Sequence, residues 1–205
     1  KLILGNTDVH LSYQNSEISP NQDGNAETET YLATLNFANS DSNHLSIITG
    51  ILKEKDTFLF SKGSGAVNYN NANPESFFSG MNFGHKFNED MSFSFTGTLG
   101  QSKMGNAQSS LIDGTSNTLS SSFNSTFNKH NNLKKGDRLS FSLSQPHKIE
   151  SGKISIRIPG LADSAGNLNY ESTSISLRPS GRQLDASIDY VSPIANNLNI
   201  GFKAN

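Results

Sequence analysis

The feature that most constrains this chain is a strict alternation of apolar and polar residues. In segment 91–99, Met, Phe, Phe, Gly and Leu occupy the odd positions, and Ser or Thr occupies every even position. Segments 139–144, 154–158 and 184–190 follow the same period of two. Successive side chains of a β-strand point to opposite faces, so the pattern predicts strands with one apolar and one polar face.

Two architectures fit strands of this kind. Their polar positions carry charged residues, among them Arg157, Asp185, Asp189 and Lys203, as well as hydroxyl groups. A transmembrane β-barrel has lipid on its apolar side and water on its polar side. A soluble antiparallel sheet instead packs its apolar face on a core and leaves the other face in water. The alternation alone is compatible with both.

Length and composition limit the class of protein. The 205 residues predict one domain, residues 1–205, and no stretch approaches the roughly 20 consecutive apolar residues of a helical span. A net charge of −2 gives no electrostatic basis for a nucleic-acid partner. The absence of cysteine excludes disulfides, thiolate zinc sites and cysteine nucleophiles. Because residues 1–5 begin directly on an apolar run, we expect a fragment of a longer chain.

The alternating segments and the turn residues between them predict about ten or eleven strands, the first near residues 7–14. Short connections are expected at 39–43 and 88–90, long ones at 61–76 and 101–117, and a bend around Pro146 at 145–152. Tight turns that alternate with long loops are typical of outer-membrane barrels. Against that interpretation, tryptophan is absent and only five tyrosines are present, whereas such barrels usually carry aromatic girdles.

The sequence offers little for catalysis or metal binding. Gly114-Thr115-Ser116 resembles the surroundings of a subtilisin-type nucleophile, but no matching His or Asp motif accompanies it. Segment 19–25 resembles a calcium-binding loop, but Thr30 stands where the twelfth-position Glu would be. The histidines lie far apart at His10, His44, His85, His130 and His147. We therefore predict no enzyme activity, no cofactor and no metal site.

The best-placed charged residues lie near the C-terminus, at Arg157, Arg178, Arg182, Asp185 and Asp189. They are predicted to share the polar face of neighbouring strands. In a barrel they would be interior residues that form cross-strand ion pairs. On a soluble sheet they would be an ordinary solvated face.

Three C-terminal segments carry a family resemblance. Residues 139–152 read Leu-Ser-Phe-Ser-Leu-Ser-Gln-Pro-His-Lys-Ile-Glu-Ser-Gly, residues 177–185 read Leu-Arg-Pro-Ser-Gly-Arg-Gln-Leu-Asp, and residues 190–193 read Tyr-Val-Ser-Pro. This spacing resembles that of the C-terminal translocator β-barrels of subtilisin-like serine-protease autotransporters. The resemblance covers about residues 136–202 and is weak before them.

The resemblance implies an all-β fold, an antiparallel up-and-down meander that forms a β-barrel of about 10–12 strands. It also implies a monomeric, non-enzymatic domain in the outer membrane of a Gram-negative bacterium, which anchors and helps to export an N-terminal passenger. The implied partners are outer-membrane lipid, the passenger and the barrel-assembly machinery. The family's last strand ends on an aromatic residue, whereas this chain stops at Lys203-Ala204-Asn205, so a final hairpin is expected to be missing. The alternative is a soluble secreted or periplasmic barrel or sandwich that serves as a binding or structural module.

Three expectations concern the arrangement of these residues in space. The first is one outward belt and one inward set: Phe93, Phe95, Phe141, Ile156 and Ile188 outward, and Ser94, Ser142, Arg157 and Asp189 inward. The second is that Arg178 or Arg182 pairs with Asp185, Asp189 or another inward acid. The third is that the strand near residues 9–13 lies beside the strand near 198–202, directly or across a gap one hairpin wide.

Overall fold

The computed structural model describes residues 2–4, 7–18, 26–37, 40, 42–57, 73–104, 111–195 and 198–204. They form thirteen strands: β1 (Leu2–Leu4), β2 (Thr7–Ile18), β3 (Ala26–Phe37), β4 (Asn43–Lys55), β5 (Glu75–Lys86), β6 (Met91–Lys103), β7 (Ile112–Thr115), β8 (Thr118–His130), β9 (Arg138–Ser151), β10 (Lys153–Ala162), β11 (Leu168–Ser176), β12 (Asp185–Ala195) and β13 (Leu198–Ala204). Among these residues, no helix is long and apolar enough to cross a membrane.

Ten of the strands form one antiparallel sheet, here called the main sheet. Its order is β1-β2-β3-β4-β5-β6-β8-β9-β12-β13, so each strand lies beside its neighbour in the chain except where β7, β10 and β11 intervene. Those three form a second antiparallel sheet of order β11-β10-β7, here called the distal ribbon. The predicted all-β, antiparallel meander is therefore confirmed.

The distal ribbon continues strands of the main sheet. Only Ser116 and Asn117 separate β7 from β8, and only Gly152 separates β9 from β10. The Ser116 N–H donates to the Lys153 carbonyl at 2.9 Å, which joins the two runs where they change sheet. Gly152 has φ +154°, and a Cβ there would lie 2.8 Å from Thr118 Oγ1. A side chain at this position would therefore collide with β8.

Two predicted irregular segments differ from expectation. Residues 145–152 are not a bend that ends the strand, because β9 runs through Pro146 to Ser151 while still paired with β8. The register there passes from Phe123↔Gln145 to Ser121↔Lys148, so two residues of β9 oppose one of β8 in a β-bulge. The predicted loop 101–117 is also too long, since β6 extends to Lys103 and β7 occupies part of it. Pro146 therefore marks a β-bulge in the β8–β9 ladder and does not mark the end of β9.

The connections alternate in length along the meander. At one end, here called the short-turn end, the strands are joined through residues 5–6, 38–42, 87–90, 131–137 and 196–197. At the other, the long-loop end, the connections are 19–25, 56–74, 104–111 and, at the tip of the distal ribbon, 163–167. The predicted short turns near 39–43 and 88–90 thus fall at one end of the sheet, and the long segments at the other.

The edges of the main sheet are β1 and β13. β2 pairs with β1 and β3, and β13 pairs with β12. No hydrogen-bonded pairing joins the first strands to the last within the part of the chain that the structure describes. Direct pairing of the 9–13 strand with the 198–202 strand is therefore not confirmed, and the gapped arrangement stays a prediction. β1, which the alternation did not indicate, lies beside β2, where the C-terminal strand was expected.

Candidate functional site: an exposed apolar face and a gap between β9 and β12

Directly opposed residues of antiparallel strands lie on the same face of a sheet. The register therefore places apolar residues of successive strands side by side: Phe93, Phe127, Phe141, Ile188 and Ala204 form one cross-strand row, and Phe37, Leu45, Phe83 and Phe95 begin another. Four of the five predicted belt residues, Phe93, Phe95, Phe141 and Ile188, share this apolar face. The fifth, Ile156, lies in the distal ribbon, so its assignment to the belt is wrong.

The apolar face is the exposed side of the main sheet. Leu99 is 69% exposed, Phe77 55% and Phe141 44%. The same face exposes further large apolar side chains: Leu11, Tyr13, Tyr31, Ile51, Met81, Phe83, Leu119, Leu143, Ile188, Ile200 and Phe202. Among the described residues, only Leu52, Met104 and Ile112 form a buried hydrophobic core. This sheet does not bury its apolar face against a core.

The opposite, polar face contains most of the buried positions. Its rows include the set Asn36, Ser46, Asn82, Thr96, Asn124, Ser144 and Asp185, opposed strand by strand. Its buried residues include Thr28, Ser46, Ser76, Ser102, Thr118, Ser120 and Ser140. Hydroxyls pair across strands there, with Ser76 Oγ 2.7 Å from Ser102 Oγ and Thr98 Oγ1 2.6 Å from Ser122 Oγ. These bonds satisfy polar groups that burial would otherwise penalise.

A cavity of about 550 Å³ shows that the sheet curves toward its polar face. Thr30 of β3 and His147 of β9 both line it, together with residues of the strands between them. In a flat sheet these strands, five positions apart, would be separated by ~24 Å at the usual ~4.8 Å spacing. Curvature brings them to one cavity, so the polar face is concave and the apolar face convex.

Tyrosines and charges mark where the apolar face ends. The Tyr13 and Tyr31 rings lie on adjacent strands with their centroids 5.0 Å apart and their planes tilted by 44°, and the Tyr31 hydroxyl donates to Glu29 at 3.1 Å. One step further toward the long-loop end, a cross-strand row alternates in charge: Glu29, Lys53, Glu75 and Lys103. Lys53 lies 3.8 Å from Glu75 and 5.9 Å from the centroid of the Tyr31 ring. An aromatic ring with a polar tip suits a boundary between apolar and aqueous surroundings.

A gap interrupts the pairing between β9 and the strand that follows the distal ribbon. The β9–β12 ladder ends at Ser144↔Asp185, and the β10–β11 ladder begins at Lys153↔Ser176, with the Leu177 N–H donating to the Gly152 carbonyl. Between them, residues 145–151 face 178–184 with no backbone hydrogen bond among the described residues. The gap forms a pocket of about 600 Å³.

A polar network lies beside this gap. Gln145, which is 3% exposed, donates from Nε2 to Ser121 Oγ at 3.0 Å, and Ser121 Oγ donates to Glu150 Oε1 at 2.8 Å. Arg182 Nη2 donates to the same carboxylate oxygen at 2.9 Å, and Lys148 Nζ lies 3.8 Å from Glu150 Oε2. The bulge places Lys148 opposite Ser121, on the apolar face of the sheet.

The five predicted site residues separate into three places. Arg178 and Arg182 lie in the segment across the gap, where Arg182 pairs with Glu150 and the Arg178 N–H donates to Ser176 Oγ at 3.2 Å. Asp185 and Asp189 lie on the polar face of β12, opposite Ser144 and Ser140. Arg157 lies in the distal ribbon, with Nε 3.5 Å from Asp113 Oδ1. The structure therefore does not bring the five into one site: two lie at the gap, two on β12 and one in the distal ribbon.

The two β12 aspartates have different surroundings. Asp185 accepts from Gln183 Nε2 at 3.0 and 3.1 Å and is exposed. Asp189 is opposed by Lys203 of β13, and its Oδ1 is buried without a hydrogen-bond partner among the described residues. Arg178 or Arg182 was expected to pair with an acid, and Arg182 does. Its partner is Glu150, however, and not Asp185 or Asp189.

Sequence reasoning missed the residues that complete the network: Gln145, Lys148, Glu150 and Ser121. A signal was present, because the first three fall inside the segment 139–152 that carried the family resemblance. The second such segment, 177–185, forms the other side of the gap. Residues separated by about 30 positions in the chain thus face each other across one opening.

The short-turn end holds a second organised group around Asp137, which is fully buried. Its carboxylate accepts from the N–H groups of Asn132 (2.6 Å), Leu133 (2.8 Å) and Lys134 (3.0 Å), and from the Tyr190 hydroxyl (2.9 Å). Burial raises the pKa of Asp137, but these donors lower it by more, so its pKa falls from 3.8 to about 2. Through these hydrogen bonds, Asp137 links the turn between β8 and β9 to Tyr190 of β12.

The described residues contain no group of three or more His, Asp or Glu side chains able to hold a metal ion. No protein-family model matches the sequence, and no curated protein or solved structure matches it either.

Proposed function

We propose that this chain is a non-enzymatic β-domain that spans the outer membrane of a Gram-negative bacterium and anchors, and helps to export, an N-terminal passenger. The observation that carries the proposal is the inverted burial of the main sheet. Its convex face is apolar and exposes large side chains, and its concave face is polar and holds most of the buried positions of the sheet. Lipid outside and water inside is the environment in which that arrangement is favourable.

In water, the apolar face would be costly. Soluble monomers rarely expose contiguous apolar patches larger than a few hundred Å², and the described part of this face extends across nine strands of the main sheet, from β2 to β13. Its height also suits a bilayer. On β6 the apolar face runs from Met91 to Leu99, which is ~26 Å along the strand and ~20 Å after the usual barrel tilt. That approaches the apolar band of ~25 Å found on outer-membrane barrels.

We propose further that the main sheet belongs to a barrel of about 10–12 strands. An open sheet within lipid would leave the backbone groups of β1 and β13 without partners, which closure avoids. The curvature that brings β3 and β9 to one cavity supports this. In the gapped form of the proposal, a gap one hairpin wide separates β13 from the first strands.

The translocator role rests on the family resemblance, since the geometry of the sheet alone names no cargo. It is supported by the meeting of the two resembling segments, 139–152 and 177–185, at the gap beside β9. In this role the domain is a monomer, outer-membrane lipid surrounds it, and the barrel-assembly machinery inserts it. The passenger precedes it in the chain.

The test uses two adjacent positions of β6 that face opposite ways, Thr98 and Leu99. The chain has no cysteine, so Thr98→Cys and Leu99→Cys each give a single site for a nitroxide label. After reconstitution in vesicles, we expect the label at 99 to be relaxed by oxygen, which concentrates in lipid. The label at 98 should be relaxed by a water-soluble nickel chelate.

The rival soluble module gives a different result. A protein that stays monomeric without detergent, with both labels accessible to the nickel chelate, would contradict the membrane proposal. Labels with the opposite assignment, 98 in lipid and 99 in water, would reverse the two faces and contradict it as well.

A further inference from the structure

The gap beside β9 carries an excess of positive charge. Lys148 and Arg182 both contact the Glu150 carboxylate, and Arg178 is close enough to act on it electrostatically. Three cations therefore share one acid. Asp185 does not offset them, because it lies on the polar face and accepts from Gln183. Two positive charges remain for a ligand.

This charge lies where the apolar face of β9 ends. Along that face, Leu139, Phe141 and Leu143 are followed by Gln145 and, past the bulge, by Lys148. Next to it on the same face, Leu99 and Leu119 are exposed. A ligand at this position would meet cations at one end and an apolar surface at the other.

The pocket in the gap has the same mixed character. Pro146, Ile149 and Leu177 line it together with Lys148 and Arg182. An arginine presents a planar fork of donors that matches the oxygens of a phosphate, and a lysine adds a point charge. Free phosphate would use the cations but leave the apolar surface uncovered.

We propose that Lys148, Arg178 and Arg182 bind the phosphate of a membrane phospholipid, whose acyl chains lie on the apolar face over Leu99 and Leu119. The inference rests on the proposed membrane location and adds a specific headgroup site to it. Glu150 is a positioning residue here, since it contacts Lys148 on β9 and Arg182 across the gap and so holds the two cations near each other.

The experiment measures lipid binding to the whole chain in a non-ionic detergent. Phosphatidylglycerol is titrated against the protein, and bound lipid is counted by native mass spectrometry while the thermal midpoint is followed. Diacylglycerol with the same acyl chains tests the need for the phosphate, and inorganic phosphate tests the need for the chains. A ligand that binds only the folded state raises the midpoint with concentration.

Two variants remove the charge. Arg178→Gln keeps the Arg182–Glu150 pair, so it tests the site without disturbing that contact, and the double variant Arg178→Gln/Arg182→Gln tests it fully. Arg138→Gln is the matched control, because Arg138 is an exposed cation at the opposite end of β9 from Lys148. We expect phosphatidylglycerol affinity to fall about tenfold for each charge-assisted hydrogen bond lost, and to be unchanged in the control.

Equal phosphatidylglycerol binding by wild type and Arg178→Gln would overturn the inference, as would diacylglycerol binding as tightly as phosphatidylglycerol. An equal midpoint shift with inorganic phosphate would show an anion site without a lipid and would overturn it too. The nitroxide pair at 98 and 99 separates the two proposals. A label at 99 in lipid together with no headgroup preference removes only this inference, whereas a label at 99 in water removes both.

Discussion

The main sheet and the distal ribbon share one sequence pattern and have different surroundings. In the main sheet, the alternation of β6 exposes Leu99 on the apolar face, whereas on the polar face Ser102 is buried and the hydroxyls of Thr98 and Ser102 pair with those of neighbouring strands. In the distal ribbon, Ile154, Ile156 and Ile158 alternate with Ser155 and Arg157 in the same way. Yet β11 is exposed along its whole length, and the outer half of β10 is exposed on both faces.

The difference shows what a period of two specifies. It specifies a strand and two chemically distinct faces, because side-chain direction alternates whatever the neighbours are. Which face is covered depends on how many strands pair and how the sheet curves. Six strands of the main sheet, β3 to β6 with β8 and β9, line one cavity, whereas β11 and the outer half of β10 are exposed.

The largest expected effect on stability comes from placing a charge on the apolar face of the main sheet, and the same change in the distal ribbon is its control. Phe95 lies midway along the apolar face of β6, and Ile158 is an exposed residue of the distal ribbon. In vesicles, Phe95→Arg should lower the free energy of unfolding by about 2–4 kcal/mol, since the charge would enter the bilayer midplane. Ile158→Arg should stay within about 0.5 kcal/mol, as for other surface substitutions.

Denaturant titration of both variants in the same vesicles measures the contrast. If Phe95→Arg is as neutral as Ile158→Arg, the apolar face does not contact lipid and the two regions share one environment. A loss of more than about 2 kcal/mol at Ile158 would instead place the ribbon in the membrane.

The second prediction concerns packing inside the concave face. An alanine Cβ at Gly50 would lie 2.5 Å from Phe78 Cζ and 2.6 Å from the Tyr31 carbonyl oxygen, so something must move. We expect Gly50→Ala to lower the free energy of unfolding by about 1–3 kcal/mol, the usual range for overpacking. Gly114 of the distal ribbon has nothing within 4 Å of the same position, so Gly114→Ala is the matched control.

Gly114→Ala should be neutral, or stabilising by about 0.5 kcal/mol through reduced freedom of the unfolded chain. Because part of the clash at Gly50 involves the Phe78 ring, Phe78→Leu should recover some stability in the Gly50→Ala background. A neutral Gly50→Ala would mean that the concave face is as open as the ribbon.

The contrast between the main sheet and the distal ribbon also shows which parts of the fold the sequence could predict. The strands around Phe93 and Phe141 were predictable because strict apolar and polar alternation over several residues fits a strand and does not fit the 3.6-residue period of a helix. The misassignment of Ile156 arose because Ile154–Ile158 has the same pattern, and strand pairing is not encoded in a short segment. The resemblance singled out the segment that contains Lys148 and Glu150, but their contacts were not predictable, since they depend on a bulge that shifts register opposite Ser122.

The third prediction compares two turn aspartates. Asp137, at the short-turn end of the main sheet, is buried with four donors, whereas Asp163, at the tip of the ribbon, is exposed. Asn167 and Ala165 N–H groups, with the Asn167 side chain, lower the pKa of Asp163. Each carboxyl has a lower pKa folded than unfolded, so each stabilises the fold above the unfolded pKa and loses that contribution as pH falls.

For Asp137 the loss should occur as pH falls from about 4 toward its folded pKa of about 2. Asp137→Asn should lower the thermal midpoint at pH 7 and flatten the acid dependence between pH 5 and pH 2, whereas Asp163→Asn should change both less. Thermal scans in detergent across that range give both quantities. An Asp163→Asn variant that is the more acid-resistant of the two would reverse the order of the two turns.

The smallest expected effect belongs to the ion pair of the ribbon. Arg157 Nε lies 3.5 Å from Asp113 Oδ1, and both side chains are close to half exposed. An exposed pair at this distance is screened by water and salt, so Arg157→Gln should change the free energy of unfolding by no more than about 0.5 kcal/mol. Had Arg157 faced a barrel interior among the polar rows of the main sheet, less screening would have made its loss larger.

Denaturant titration of Arg157→Gln and of Asp113→Asn/Arg157→Gln, at low and high salt, measures the free energy that the pair contributes. A coupling energy well above about 1 kcal/mol that persists in high salt would show that the ribbon shields charge as the main sheet does.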